Sequence, residues 1–251
     1  MENRPTIRIQ GSRIQPEYQE RYTKWLLEVY LPLFMKVPEM RGIDCYKITK
    51  QNPQYPPRVV MMSYANRIEQ VKVRSSPIVA DVQKDIRTTW MSRTEVIWYP
   101  AYELIKNFRN QNVAITAGDL LNTEKAPILQ MEGYSLSPED REKFETWFTK
   151  WGYELYIPWL MKSAGLSEYS FYRLIDVDLT GAPGRQYNTP RRAVEHPSFL
   201  SILHFENLDA YERYENSVEL AGFRDHIRLS LPNGLDFKWY VQHQLLKSFR
   251  K

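Results

Sequence analysis

The chain has 251 residues, with 34 Lys+Arg against 30 Asp+Glu for a formal charge of +4. A hydrophobic share of 43% excludes a disordered chain, and the interspersed Lys and Arg exclude the coherent basic face that nucleic acid needs. No apolar run approaches the roughly 20 residues that span a bilayer, the opening residues lack signal-peptide character, and the single cysteine, Cys45, forbids an internal disulfide and suits a reducing, cytoplasmic setting.

In chain order, residues 6–10 alternate at period two and predict a strand. Gln15-Pro16-Glu17 opens a helix whose predicted buried face runs Tyr22, Trp25, Leu26, Val29 and Leu33, with Pro32 expected to kink or end it near Tyr30. Strands over 42–50 and 57–65, a second helix and a final strand follow, and residues 111–126 read as a connector. The same order then returns. A strand over 128–132 precedes Ser137-Pro138, suited to N-cap and N1, and a helix with predicted face Phe148, Trp151, Leu155 and Trp159. Pro158 is expected to act near Tyr156 as Pro32 does near Tyr30. Strands over 167–176 and 198–206, a helix and a last strand complete it. Residues 1–110 and 127–251 therefore read as two repeats, with an insertion at 179–196 expected to flank or cover one opening of the fold.

Identities at fixed offsets support the duplication. Trp98-Tyr99 answers Trp239-Tyr240 (239 − 98 = 141), and the offset holds through Pro56/Pro197, Asn66/Asn207, Lys106/Lys247 and Arg109/Arg250. Helix one repeats as Thr23-Lys-Trp and Thr149-Lys-Trp (151 − 25 = 126), with Glu28-x-Tyr30-x-Pro32 answered by Glu154-x-Tyr156-x-Pro158.

Each half reads βαββαβ, a ferredoxin-like α+β unit with one sheet face left open by its helices. The Trp-x-x-Glu-x-Tyr-x-Pro pattern in this frame resembles the dimeric α/β-barrel superfamily, most closely its EthD-like branch. The resemblance implies an intrachain barrel in which two open sheet faces meet. It also implies small-molecule chemistry of several kinds, including cofactor-independent oxygenases and cyclases as well as haem enzymes. Where that branch commonly carries a histidine two residues before the proline, this chain carries Tyr30 and Tyr156.

Alternation assigns candidate cavity residues, on the premise that the apolar members of each strand meet the helices. Ile7, Ile9, Leu129 and Met131 would then be helix-facing, with Arg8, Gln10, Gln130 and Glu132 inward. On the third strands Ser63 and His204 point inward. On the last strands Trp98 and Trp239 face helices, while Tyr99, Lys238, Ile97 and Tyr240 point inward. Positions that differ in chemistry between the copies, such as Ser63/His204, Ile97/Lys238 and Gln10/Glu132, mark an asymmetric site. From these, His204, Glu132 and Tyr240 are the candidate catalytic set. His204 is the proton carrier near neutrality, and Tyr240 is a hydrogen-bond donor to a developing enolate. Arg8, Gln10, Gln130, Tyr99, Lys238, Tyr30, Tyr156 and His243 are candidate substrate-binding residues, with His243 at a barrel mouth. A wall histidine with no chemical role explains His204 slightly better than catalysis does, and His226 on a helix fits a solvated face.

The four histidines have no i, i+4 pairing and no metal motif is present, so no metal is expected. Cys45 reads as a small buried residue. The leading expectation is a cofactor-independent enzyme moving protons on a hydrophobic aromatic or carbonyl compound, of cyclase, isomerase, lyase or monooxygenase type. A non-catalytic ligand-binding or assembly protein is the alternative, and a haem-binding barrel enzyme a third. The expected partners are a small-molecule ligand and other copies of the chain in a homo-oligomer, without nucleic acid or membrane.

Overall fold

A computed structural model describes residues 4–50, 52, 54–110, 126–136, 138–162, 165–176, 196–230 and 236–251. The predicted insertion up to residue 195, the connector up to residue 125 and the Ser137 cap lie outside the described residues. The first half carries β1 (Thr6–Ile14), α1 (Gln19–Trp25), a π-helical turn (Leu26–Tyr30), α2 (Leu31–Met35), β2 (Met40–Ile48) and β3 (Arg58–Tyr64). It continues with α3 (Arg67–Arg74), α4 (Pro77–Asp85), a second π turn (Ile86–Trp90), β4 (Thr94–Trp98) and β5 (Ala101–Arg109). The second half carries β6 (Ile128–Ser135), α5 (Pro138–Trp147), a π segment (Phe148–Tyr156) and α6 (Ile157–Leu160). Then come β7 (Leu166–Asp176), β8 (Phe199–Phe205), α7 (Leu208–Glu215), α8 (Val218–Ser230) and β9 (Asp236–Arg250). The chain is thus α+β, with a βαββαβ order in each half.

Where one continuous last strand is expected in each half, the first repeat breaks it at Tyr99-Pro100 and the second does not. Pro100 has no N–H to give a ladder, whereas Val241 at the equivalent position keeps β9 running for 15 residues.

Contacts group the chain into two compact units, one of residues 1–104, 174–196 and 245–251, the other of residues 105–173 and 197–244. Their boundaries cut through β5 and β9. In the first unit β1 lies between β3 and the β4–β5 pair, and β2 lies between β3 and the tail of β9. In the second unit the order is β9, β6, β8, β7 and the tail of β5. Strand β1 runs antiparallel to β3, β4 and β5, β2 to β3, β6 to β8 and β9, and β7 to β8, and in each unit one sheet face packs on the helices. The first unit buries Tyr22, Leu26, Tyr30, Leu31 and Phe34 against Ile43, Cys45, Val60 and Met62. The second buries Phe144, Phe148, Ile157 and Leu160 against Tyr169, Phe171, Phe199 and Leu203.

The helix faces differ from expectation. Val29, Trp151, Leu155 and Trp159 are exposed, at 40%, 48%, 54% and 36%. The cause is the π turn. Leu31 N–H donates to the Leu26 carbonyl and Ile157 N–H to the Gly152 carbonyl, five residues back in each case. The wider turn relieves the crowding of the Pro32 ring on the Glu28 carbonyl, so the helix continues through the proline instead of ending at Tyr30. It also inserts a residue into the 3.6-residue phase, which moves burial from Val29 to Tyr30 and Leu31.

The strand faces differ too. Gln10, Arg8 and Thr6 pair with Val60, Met62 and Tyr64, all three of which pack on the helices, so these polar residues of β1 are helix-facing. Gln130 pairs with Leu203, and Glu132 with Ser201, whose hydroxyl is bonded to Tyr134 and Tyr169 in the helix-side core. Ile7, Ile9, Leu129 and Met131 occupy the other face. Both faces are buried, with Ile9 and Leu129 at 0% and Arg8 and Gln130 at 1% exposure. Alternation therefore separated the faces correctly, but polarity could not tell which one met the helices.

Candidate functional site

On the helix-facing side of the second unit, β6 and β9 place Glu132 and Tyr240 as cross-strand neighbours. The helix α7 is capped by Asn207, whose side chain accepts from the Ala210 N–H at 2.9 Å, and ends at Glu215. Arg224, on α8, donates to the Glu215 carboxylate at 2.9 and 3.2 Å and to the Tyr240 hydroxyl at 2.8 Å. The Tyr240 hydroxyl itself donates to Glu215 Oε1 at 2.8 Å. Tyr211 hydrogen-bonds to both Glu215 and Tyr240. The result is a knot of two acids, one guanidinium and two phenols that reaches solvent at Tyr240, which is 40% exposed.

This setting changes the chemistry of Glu132. Burial, reinforced by the nearby Glu215 charge and opposed by Arg224, pushes its carboxyl up to about 7. Burial and the charges of Glu132 and Glu215 also raise the Tyr240 phenol well above its ordinary range, so it stays protonated. A carboxyl that titrates near neutrality beside fixed donors can accept a proton from a bound molecule and return it.

The first unit has the same frame with different groups. Gln10 replaces Glu132, Arg74 replaces Glu215, Gln83 replaces Arg224, and Tyr99 answers Tyr240. There the Tyr30 hydroxyl donates to Gln10 Oε1 at 3.2 Å, with burial raising the phenol well above its ordinary value. Arg8 donates to the Tyr99 carbonyl at 3.0 Å, and its guanidinium lies 4.6 Å from the centre of the Tyr99 ring. No carboxyl and no imidazole stands among these groups.

The expected inward set is thereby redistributed. Glu132, Tyr240 and Gln130 gather on the helix-facing side of the second unit, and Arg8, Gln10, Tyr30 and Tyr99 on that of the first. Lys238 is half-buried two residues before Tyr240. Tyr156 packs in the helix layer against Trp147, Phe223 and His226. His204 and His243 both pair with Leu129, from β8 and β9, and so occupy the opposite face from Glu132. The expected convergence of His204 with Glu132 is corrected by this register. His243 is fully buried, not at a mouth, and burial lowers its imidazole to about 3. Trp98 and Trp239 also face away from the helices, opposite Gly11 and Gly133. Tyr211, Glu215 and Arg224 escaped the sequence reading. Comparison of the copies carried on into the helices would have found them, as Gln70/Tyr211, Arg74/Glu215 and Gln83/Arg224.

Among the described residues no cluster of three or more His, Cys, Asp or Glu is placed to hold a metal, and no helix is long and apolar enough to cross a membrane. Cys45 is buried, and that burial pushes its thiol up to about 12, which removes it as a nucleophile.

No family model and no curated protein matches the chain. Solved structures do. A candidate monooxygenase from Fusobacterium nucleatum is similar over 100% of this chain and 96% of its own, with a TM-score of 0.66 at 11% identity. An anthrone oxidase-like protein is similar over 99% and 94%, at TM-score 0.64 and 8% identity. A candidate chlorite dismutase is similar over 98% and 96%, at TM-score 0.55 and 8% identity. Likeness at such low identity speaks for the fold, and with the strand order of both halves it shows that the chain has the α+β fold of the dimeric α/β-barrel proteins.

Proposed function

We propose that this protein binds a hydrophobic small molecule on the helix-facing side of its second repeat and moves a proton on it without a cofactor. The observation that carries the reading is Glu132, a carboxyl pushed to about 7 beside the Tyr240–Glu215–Arg224 knot. Glu132 is the acid–base group, and Arg224 offsets negative charge that develops on the bound compound. Tyr240 and Tyr211 hold the Glu215–Arg224 pair in register, and Lys238 and Gln130 contact the ligand. The role first given to His204 passes to Glu132, because the register puts the two on opposite faces. A haem over this cluster would find neither strand histidine on its side of the sheet. The fold neighbours bearing monooxygenase and oxidase names support an enzyme over a passive binder, and cyclase or isomerase chemistry would use the same proton step.

The test is direct titration of the side-chain carboxyls by NMR in the full chain. One carboxyl should titrate near pH 7 and disappear in Glu132→Gln. A full set of ordinary carboxyls would overturn the proton-transfer reading and favour the non-catalytic alternative.

A further inference from the structure

Gln130 is 1% exposed, and neither its amide oxygen nor its amide nitrogen has a hydrogen-bond partner among the described residues. A primary amide with both ends unmet in a core is strongly unfavourable unless something else meets it. Its place is specific. Gln130 lies mid-strand on β6, between Leu203 on β8 and Gln242 on β9, with Ile128 and Glu132 two residues away on the same face. Two residues of strand are about 6.7 Å. Polar groups therefore run from rim to depth, from the exposed Tyr240 and Arg224 through the partly buried Glu132 to the closed-off Gln130.

We infer that Gln130 is the specificity-determining residue of the second-repeat site, and that the site takes a neutral ligand carrying a donor and an acceptor on neighbouring atoms, as the N–H and C=O of a lactam do. The inference rests on the proposed use of this site and names what it holds. An amide offers one acceptor and one donor side by side, so its complement is the same pair reversed. A carboxylic acid shows that pair only when protonated. At neutral pH it is an anion without a donor, facing the carboxyls of Glu132 and Glu215. A hydroxyl next to a ketone spends its proton on the ketone. A lactam keeps both groups free and remains neutral. Ile128 and Leu203 beside Gln130, with Tyr214 in the same helix-side core, suit an apolar body attached to that edge. The first repeat cannot repeat the recognition, because its equivalent residue is Arg8, whose guanidinium has no acceptor. One such site per chain follows.

The experiment titrates the full chain with 2-quinolone and with N-methyl-2-quinolone, which has lost only the donor. Calorimetry reads affinity, and the Gln130 side-chain NH2 signal, assigned by its absence in Gln130→Leu, reads contact. The expected result is at least tenfold tighter binding of 2-quinolone, the scale of one buried hydrogen bond lost, with a shifted Gln130 signal. The comparison of the two probes needs no variant, so a Gln130→Leu chain that folds poorly does not spoil it. Equal affinities, binding of neither probe, or an unmoved Gln130 signal would overturn the inference and leave ordered water as the partner of the amide. Failure here leaves the Glu132 titration untouched. A lactam preference with Glu132 titrating as an ordinary carboxyl would keep the ligand and remove the proton transfer.

Discussion

Two residues on neighbouring strands pull the pH dependence of this protein in opposite directions. The Glu132 carboxyl sits at about 7 in the folded chain against 4.5 ordinarily, so the native state holds its proton more tightly than the unfolded state does. Its contribution is complete below pH 4.5 and is lost as pH rises through 7, a change of up to about 3 kcal/mol. Glu132→Gln should therefore raise the thermal midpoint at pH 8 by several degrees, change it little at pH 4, and lower turnover by roughly 10²–10⁴-fold. Thermal melts at the two pH values check the first part. A midpoint that falls at pH 8 would show the carboxylate is stabilising after all. His243 behaves in the reverse sense. Its imidazole, at about 3 against 6.5, refuses the proton that the unfolded chain accepts, so stability is lost as pH falls from 6.5 towards 3. His243→Leu should lower the acid midpoint of unfolding, read by urea denaturation across that window. His204→Ala, on the far side of the sheet from Glu132, should leave turnover within a few-fold of wild type.

At the scale of elements, residues matched at the fixed offsets occupy matching places. Asn66 caps α3 by accepting from Glu69 N–H at 2.9 Å, as Asn207 caps α7. Gly11 meets Pro56 and Trp98, and Gly133 meets Pro197 and Trp239, each at a point where β1 or β6 shifts register. A Cβ added at Gly133 would lie 2.4 Å from Pro197 Cγ, and one at Gly11 2.5 Å from Pro56 Cγ. Gly133→Ala should cost about 1–3 kcal/mol by overpacking, measured by urea unfolding. Combining it with Pro197→Ala should recover part of the loss, and strict additivity would show that the proline is not the obstacle. The π turns belong to the same scale. The two at Leu26–Tyr30 and Phe148–Tyr156 precede Pro32 and Pro158, and both leave the aromatic phase shifted by one residue.

For the whole molecule, the sequence repeats and the compact units do not share boundaries. The tail of β9, residues 245–251, belongs to the first unit, where the Arg250 guanidinium pairs with Asp44 and Leu246 and Phe249 pack on the core. The tail of β5 belongs to the second, where Arg109 meets Glu168 at 3.2 Å and Asn110 N–H donates to the Ser167 carbonyl at 2.9 Å. Asp44 is 2% exposed, so Arg250→Ala should cost about 1–3 kcal/mol, with the solvent-exposed half of the arginine moderating the loss. Residues 1–110 expressed alone lack the strand that pairs with β2 and should aggregate or self-pair, as light scattering would report. A stable monomer would mean the first half needs no such strand.

How much of this was legible beforehand depends on what a period can encode. The tandem βαββαβ order, the strand positions and the identity of Glu132 and Tyr240 as unlike-copy or inward-row candidates were readable, because local hydrophobic periods and internal repetition are properties of the chain itself. The side of the sheet on which those residues lie was not. A strand buried on both faces has the same alternation whichever face meets the helices, and only the pairing of Gln10 with Val60 and Glu132 with Ser201 decides it. Tyr211, Glu215 and Arg224 are remote from Glu132 along the chain and meet it only when α7 and α8 pack on the sheet. The raised carboxyl of Glu132 likewise comes from burial and from the Glu215 charge, which are properties of the assembled structure and of no segment alone.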